Sequence, residues 1–289
     1  MILGIDVGNY SLKSNSGINI KALVSKEENI LGSGIVLEMD NQKFIIGEGN
    51  FETELNKSSK DNFLPLLYTG IALSSEEDFN SIVCGLPINQ YKDNHKSLEE
   101  LINKNKIKTI KLNGIERTLV IDNFKVYPEG IGAYYNINLN EDVVLIDIGG
   151  RTTDIAYIAD NKHQKSSTVA VGTLNIYKSI ADTINSKYSL DLSLKDIDRV
   201  IDRGTLNVDG EKINLSFITS ILKNNFMKIK EDLDFKFPAR SEKIVLVGGG
   251  AKLFIKAFMN RYSNCIIAND PIYSNAKGFK RVGEALWQN

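Results

Sequence analysis

The chain is short of the residues that most often carry nucleophilic or metal chemistry, with 2 cysteines and 2 histidines in 289 residues. Cys84 and Cys265 lie far apart in apolar stretches without a Cys-x-x-Cys spacing, so each reads as a small buried hydrophobe rather than half of a disulfide or a ligand pair. His95 and His163 stand alone among charged residues, which argues against a zinc site and against a histidine-based triad. Neither sign of charge dominates: Lys and Arg number 35, Asp and Glu 36. A surface devoted to nucleic acid or anionic lipid is therefore not expected, and neither is direct DNA binding. Apolar runs such as Ile131 to Tyr135 and Val143 to Ile146 fall far short of the ~20 residues of a membrane span. The first residues read as a strand with no basic leader, so the expected location is the cytoplasm. Chemistry here must rest on carboxylates, hydroxyls, lysine and backbone amides.

Those groups are concentrated at three glycine turns. Val143 to Ile158 is an apolar strand that delivers Asp147 to Gly149-Gly150, then Thr152 and Thr153, then a second β-branched strand. Near the start, Ile2 to Lys13 repeats the device, with Asp6 ending an apolar run before Gly8, Asn9 and Ser11. A third turn, Gly248-Gly249-Gly250, follows the apolar run Ile244 to Val247. Phosphates need amide donors, small residues that let the backbone approach, and cations; these turns with Ser11, Lys13, Thr152 and Thr153 supply all three. Asp6 and Asp147 would flank a magnesium ion, which prefers oxygen ligands and keeps several waters. The bland alternative is a pair of turn-capping aspartates, each satisfying local amides.

Along the chain, Ser11 to Val24 alternates like a meander beside the first strand, and Ile35 to Met39 with Lys43 to Ile46 forms a hairpin. Asn56 to Asp61 is a polar loop, Leu64 to Leu73 a helix, Ser81 to Cys84 a short strand, and Asn94 to Asn105 a polar helix. A hairpin turns at Asn113-Gly114, Phe124 to Tyr127 is a further strand, and Pro128-Glu129 has the chemistry of a helix start through Tyr135. In the second half, Ser167 to Val171 is the third strand before Gly172-Thr173 and a helix. Helices follow at Ser193 to Asp202 and Leu215 to Leu233, then strand, helix, strand and a closing helix, Ala276 to Trp287. Each half thus opens with strands around an Asp-x-Gly turn and continues with alternating strands and helices. The expected class is α/β, with two duplicated domains facing each other across a cleft.

The motifs D-V-G-N-Y-S-L-K at Asp6 to Lys13, D-I-G-G-R-T-T-D at Asp147 to Asp154 and V-G-G-G-A at Val247 to Ala251 resemble the two phosphate motifs and the adenosine motif of the actin, sugar kinase and heat-shock ATPase superfamily. Within it, G-L-P-I-N-Q-Y at Gly85 to Tyr91, Y-P-E-G-I-G-A-Y-Y at Tyr127 to Tyr135 and N-A-K-G-F at Asn275 to Phe279 are similar to the ParM-type bacterial actins that segregate plasmids. The resemblance implies an actin-like, ribonuclease H-like fold. It also implies a first domain of residues 1–140 on which a closing helix, 272–289, packs back, and a second of 141–271 with a small outer subdomain at 182–237. ATP with Mg²⁺ is the implied ligand, GTP the alternative.

Carried over by residue, the resemblance implies that Asp6 and Asp147 hold the magnesium and the nucleophilic water. Gly8, Asn9, Tyr10, Ser11, Lys13, Gly149, Gly150, Arg151 and Thr152 would surround the β- and γ-phosphates. Gly248, Gly249, Gly250 and Ala251 would lie under the adenosine, Gly172 is a further nucleotide contact, and Glu129 would orient the attacking water. The implied partners are other copies of the chain in a polar filament and a DNA-binding adaptor on a plasmid centromere. Arg151 stands where a small residue is expected and reaches phosphate or lies on the surface. Lys228, Lys230, Glu231 and Asp232 form a charged helix face that leaves the ribose partners open. A small-metabolite kinase of the same superfold is the alternative function, but no extra polar cluster marks an acceptor pocket. A catalytically idle adaptor is the third.

Overall fold

Two apolar runs that end in aspartate form the central strands of two sheets. The computed structural model describes residues 1–27, 32–52, 54, 56–137, 139 and 141–288; residues 140 and 289, the expected ends of the first domain and of the closing helix, lie outside them.

The first sheet takes β1 (Ile2–Val7), β2 (Ser11–Ser14), β3 (Asn19–Lys21), β4 (Leu23–Ser25), β5 (Ile35–Met39), β6 (Gln42–Ile46), β7 (Asn50–Phe51), β8 (Phe79–Leu86), β9 (Ile107–Leu112) and β10 (Ile115–Pro128), in the order β3-β2-β1-β8-β10-β9-β5-β6-β4-β7. Helices α1 (Phe63–Ser74) and α2 (Ile88–Asn103) flank β8 in sequence, and the single-turn α3 (Ile131–Tyr134) leads to the second half. There β11 (Val143–Ile148), β12 (Thr153–Ala159) and β13 (Lys162–Val169) precede α4 (Thr173–Tyr188), α5 (Leu194–Arg203), the hairpin of β14 (Asn207–Val208) and β15 (Glu211–Lys212), and α6 (Phe217–Lys236). Then come β16 (Lys243–Val247), α7 (Ala251–Arg261), β17 (Cys265–Ile267) and α8 (Ser274–Trp287). The second sheet runs β13-β12-β11-β16-β17. In both sheets the aspartate-bearing strand has an antiparallel partner on one side and a parallel one on the other.

Period-two alternation sorts the side chains of the central strands. Leu3, Ile5 and Val7 of β1 enter a core with α1 and the neighbouring strands. Val144, Ile146 and Ile148 of β11 enter a second core with α4, α6 and α7, while Val143 and Leu145 pack with Ala133 and Tyr134 of α3. The opposite face of β1 carries Gly4, where any Cβ would collide with the backbone of α8 at Ala276 and Lys280. Helix α8 therefore crosses back from the second sheet to lie on the first. Asp6, two residues after Gly4, shares the face that α8 covers.

Several elements depart from the sequence expectation. The alternation through Val24 does not mark one meander: Leu23 and Val24 pair with Phe51 and Ile46, at the far edge of the sheet from β3. Periodicity reports a strand but not its neighbour. Helix α2 starts six residues early, because Pro87 ends β8 and its carbonyl accepts from Gln90 and Tyr91. Strand β10 runs unbroken through Asp122-Asn123, absorbed as a bulge between Ile121 and Phe124. Strand β13 begins at Lys162, since Asp160 and Asn161 alone make the turn with positive φ.

Pro128-Glu129 does not open a helix. Pro128 is the last residue of β10, paired with Leu86, and Glu129 lies in the connection before Gly130, whose φ of 74° starts α3. Helices α5 and α6 share the second core through Ile197, Phe226, Ile229 and Leu233. Cys84 and Cys265 are both buried and unpaired. Among the described residues no helix is long and apolar enough to cross a membrane.

Candidate functional site

The aspartate turns have the same local construction. The Gly8 amide donates to the Ser11 carbonyl at 3.1 Å, and the Gly149 amide to the Thr152 carbonyl at 2.9 Å. Each turn joins antiparallel strands, so a fixed residue stands opposite each aspartate: Lys13 across from Asp6, and Asp154 across from Asp147. That single difference sets the electrostatics. Lys13 Nζ lies 3.0 Å from Asp6 Oδ2. Burial works to raise the Asp6 carboxyl, but the charges of Lys13 and Lys57 outweigh it and hold the group below the usual carboxylate range. Asp147 has no such cation opposite; burial, aided by the nearby charge of Glu129, pushes it up to about 7. Burial likewise pushes Asp154 up to about 8 against its hydrogen bond from Thr168.

The third turn closes on the second. Gly248 sits at φ 85°, a conformation glycine adopts without strain, and a Cβ there would collide with Asp147 Oδ1 and the Ile148 carbonyl. Helix α8 completes the wall: Asn275 Nδ2 donates to Asp147 Oδ2 at 2.6 Å, and its Oδ1 accepts from the Gly130 amide at 2.9 Å. Asn275 therefore fixes Asp147 and the backbone beside Glu129 from one side chain. The first and second turns meet directly, since a Cβ on Gly150 would stand 2.8 Å from Tyr10 Cβ.

These turns line one cleft between the sheets. Of the residues singled out from sequence, Asp6, Gly8, Asn9, Tyr10, Ser11, Lys13, Glu129, Asp147, Gly149, Gly150, Thr152, Gly248 and Gly249 all line it. Four do not. Arg151 turns away, its Nη2 donating to the Glu52 carbonyl at 2.6 Å, and lines a separate cavity. Gly172 caps α4 and is pressed against the Gly150 and Arg151 backbone. Gly250 donates its amide to the Ile148 carbonyl, and Ala251 is buried at the start of α7.

The cleft also holds Lys57, Pro87, Asp154, Thr173, Ile272 and Asn275, which sequence reasoning did not assign to it. Asp154 was within reach, being the residue that hairpin register places opposite Asp147. Lys57 had no such signal. Its ammonium, buried under the first sheet, donates to Glu129 Oε1 at 2.5 Å and to the Gly85 carbonyl at 2.9 Å. Lys60 donates to Asn9 Oδ1; burial and the charges of Lys57 and Arg151 lower it to about 8. On α6, Lys230 pairs with Asp234 and Lys236 with Asp232, as a charged helix face does.

The donors fit an anion carrying a hard divalent cation. Glycine turns and the lysines Lys13, Lys57 and Lys60 stand beside the buried carboxylates Asp6, Asp147 and Asp154 and the half-buried Glu129. A carboxylate raised to about 7 is one whose ionised form lacks a counter-charge, and a cation at Asp147 would supply it. Among the described residues no set of three or more metal-ligating side chains is arranged to hold an ion by itself.

Comparison with known proteins agrees with this architecture. Residues 4–132 match the family model of the N-terminal domain of actin-like proteins, and residues 145–260 that of the C-terminal domain of the archaeal MreB-like actin homologues. No curated protein matches the chain by sequence. Among solved structures, a 15-stranded ParM filament from Clostridium botulinum is similar at 21% identity and a TM-score of 0.82, covering 98% of this chain and 99% of the other. An archaeal actin homologue in complex with ADP gives 21%, 0.83, 98% and 99%. A Bacillus thuringiensis ParM with ATP gives 16%, 0.70, 99% and 99%. At these identities the likeness establishes the fold.

Proposed function

Since this chain is an actin-like protein in both halves, we propose that it is an ATPase of the ParM kind, binding ATP with Mg²⁺ in the cleft and assembling into polar filaments. The supporting observation is the convergence of two aspartate turns, a third glycine turn and Glu129 on one cleft between two sheets. The sheets are the cores of two domains, residues 1–140 with α8 and 141–271, that close on the nucleotide.

In this reading the turns at Gly8 to Ser11 and Gly149 to Thr152 bind the β- and γ-phosphates through backbone amides, and Lys13 neutralises their charge. The turn at Gly248 and Gly249 lies under the adenosine. Asp6 and Asp147 would hold Mg²⁺, which when bound supplies charge neutralisation on the phosphates. Glu129 orients a water by accepting its proton or hydrogen bond. Asn275 holds Asp147 in place. The turns abut at Tyr10 and Gly150, which sets the spacing of the two phosphate loops.

In this reading nucleotide bound between the domains favours the closed form, and the closed form polymerises; the similar Clostridium botulinum ParM forms a 15-stranded filament. Hydrolysis then loosens the polymer. The task that fits is moving plasmid DNA through a DNA-binding adaptor, since the chain has no excess of basic residues of its own. Light scattering and sedimentation with ATP and magnesium test this. Polymer that forms with nucleotide and not without it is expected, with Asp147→Ala folded but inactive. A chain that binds ATP and stays monomeric at high concentration refutes the proposal.

A further inference from the structure

The strongest unexplained group in the molecule is the ammonium of Lys57. It belongs to the polar stretch Asn56 to Asp61, a surface loop by composition, yet the residue is 1% exposed. A 3₁₀ turn, Lys57–Ser59, delivers it inward. Asn56 Oδ1 caps that turn, accepting from the Ser58 amide at 3.1 Å and from the Ser58 hydroxyl at 2.9 Å. The Ser97 hydroxyl on α2 donates to Ser58 Oγ at 3.2 Å, and Lys60 ties the far end of the turn to Asn9. Two local caps and two long-range ties thus hold a short loop in register with the cleft.

Taking an ammonium out of water costs several kcal/mol, which its ion pair has to repay, and apolar residues in place of the whole pair would often serve stability as well. The position is therefore explained by what Lys57 touches. Its Nζ lies 2.5 Å from Glu129 Oε1 and 2.9 Å from the Gly85 carbonyl. Gly85 in turn packs against the stem of Glu129, where an added Cβ would fall 2.8 Å from Glu129 Cγ. Glu129 itself lies in neither strand nor helix. Among the described residues, Lys57 is the hydrogen-bond donor to its carboxylate.

We propose that Lys57 is a positioning residue that aims the Glu129 carboxylate at the water it activates; this rests on the assignment of Glu129 given above. Lys57 acts chiefly through Glu129, while Lys13 at 3.0 Å remains the paired cation of Asp6, so loss of Lys57 lowers turnover far more than nucleotide affinity. General-base catalysis contributes about 10²–10⁴ in rate, and a misaimed base forfeits much of it.

Steady-state ATP hydrolysis by the wild type, Lys57→Met, Lys57→Arg, Glu129→Gln and the double variant Lys57→Met/Glu129→Gln tests the proposal. Lys57→Met should lower kcat roughly 30–100-fold with KM changed less than about threefold. Lys57→Arg should recover part of the loss by restoring a cationic donor. The double variant should be no slower than Glu129→Gln, because two residues acting as one unit are non-additive. The double variant also removes both charges of the pair, so it gives an answer even where Lys57→Met fails to fold. A double variant markedly slower than Glu129→Gln overturns the proposal, as does a raised KM with unchanged kcat. Wild-type turnover in Glu129→Gln overturns the assignment of Glu129 and this proposal with it, a result distinct from either of those.

Discussion

Asn275→Ala probes the joint between α8 and the cleft. The side chain makes two buried hydrogen bonds, one to Asp147 and one from the Gly130 amide. Alanine leaves the Gly130 N–H without that partner, at about 1–3 kcal/mol, and removes a charge-assisted bond to Asp147 of comparable worth. Because the two losses share one relaxed site, a total near 3 kcal/mol is expected rather than their full sum. Unfolding entropy of about 2.1 cal/mol/K per residue over 289 residues converts this into a Tm lower by about 5 °C. Function shifts too. The Asn275 hydrogen bond is what draws Asp147 down against burial, so without it the carboxyl rises further above about 7. At neutral pH more of it is then protonated, and magnesium-dependent nucleotide affinity should fall about 10–100-fold, as is usual for a residue that orients a metal-binding carboxylate. Raising the pH to 8.5 should recover part of that affinity by ionising Asp147. Differential scanning calorimetry and a fluorescent-nucleotide titration with and without magnesium are the measurements. An unchanged Tm together with unchanged affinity would refute the assignment of Asn275 as the link between Asp147 and Gly130.

Asp154, raised to about 8 by burial, should make the nucleotide-free protein less stable as pH increases. Between the unfolded value near ~3.9 and the folded one, the folded state keeps a proton that the unfolded state has lost, so stability falls with pH by up to about 1.4 kcal/mol per unit. Asp154→Asn should flatten denaturant midpoints measured from pH 5 to 8 by about one proton's worth, and an unaltered slope would contradict the burial account. Gly150→Ala should drive the first and second turns apart, since its Cβ meets the Tyr10 main chain at 3.1 Å and Tyr10 Cβ at 2.8 Å. Nucleotide affinity is expected to drop tenfold or more with the circular dichroism spectrum unchanged, and equal affinity would show that the turns do not need to meet. Across the outer cleft, Lys21 and Tyr177 both donate to Asp198, and Lys21 stacks on the Tyr10 ring at 3.8 Å. A partly exposed pair of this kind contributes about 1 kcal/mol, so Asp198→Asn should speed nucleotide release about fivefold in stopped-flow displacement. Release at the wild-type rate would mean the contact does not restrain opening.

The parts of the site that were legible in the sequence are those carried by local chemistry. An apolar run, an aspartate and a glycine turn form a self-contained signal, because strand alternation and turn geometry act within about ten residues. That is why Asp6, Asp147 and the three turns could be found without a structure. Register adds one step, and Asp154 follows from counting across the Gly149-Gly150 turn. Glu129 is a different case. Its position beside proline looked like helix-start chemistry, and only the pairing of Pro128 with Leu86 shows that the proline ends a strand instead. Lys57 and Asn275 reach the cleft from segments 72 and 128 residues from Glu129 and Asp147 respectively. No periodicity within either segment encodes such a meeting; it exists only once α8 and the Lys57–Ser59 turn are packed. Arg151 fails for the converse reason, since its neighbours in sequence line the cleft while its own side chain is drawn to the Glu52 carbonyl.

The return of α8 also bears on how the protein is made. The helix lies against β1 at Gly4 and Ala276, yet it is synthesised after every strand of the second sheet. Domains generally mature on the ribosome in the order in which they emerge. Here the first sheet, although translated first, stays uncovered on its α8 face while β11 to β17 already have every strand they need. Its exposed face during that interval includes β1 and β8, where Val83 lacks the cover that Phe279 and Val282 of α8 later provide. The later half of the chain is thus the one able to consolidate early, and the earlier half is the one that a chaperone would have to shield.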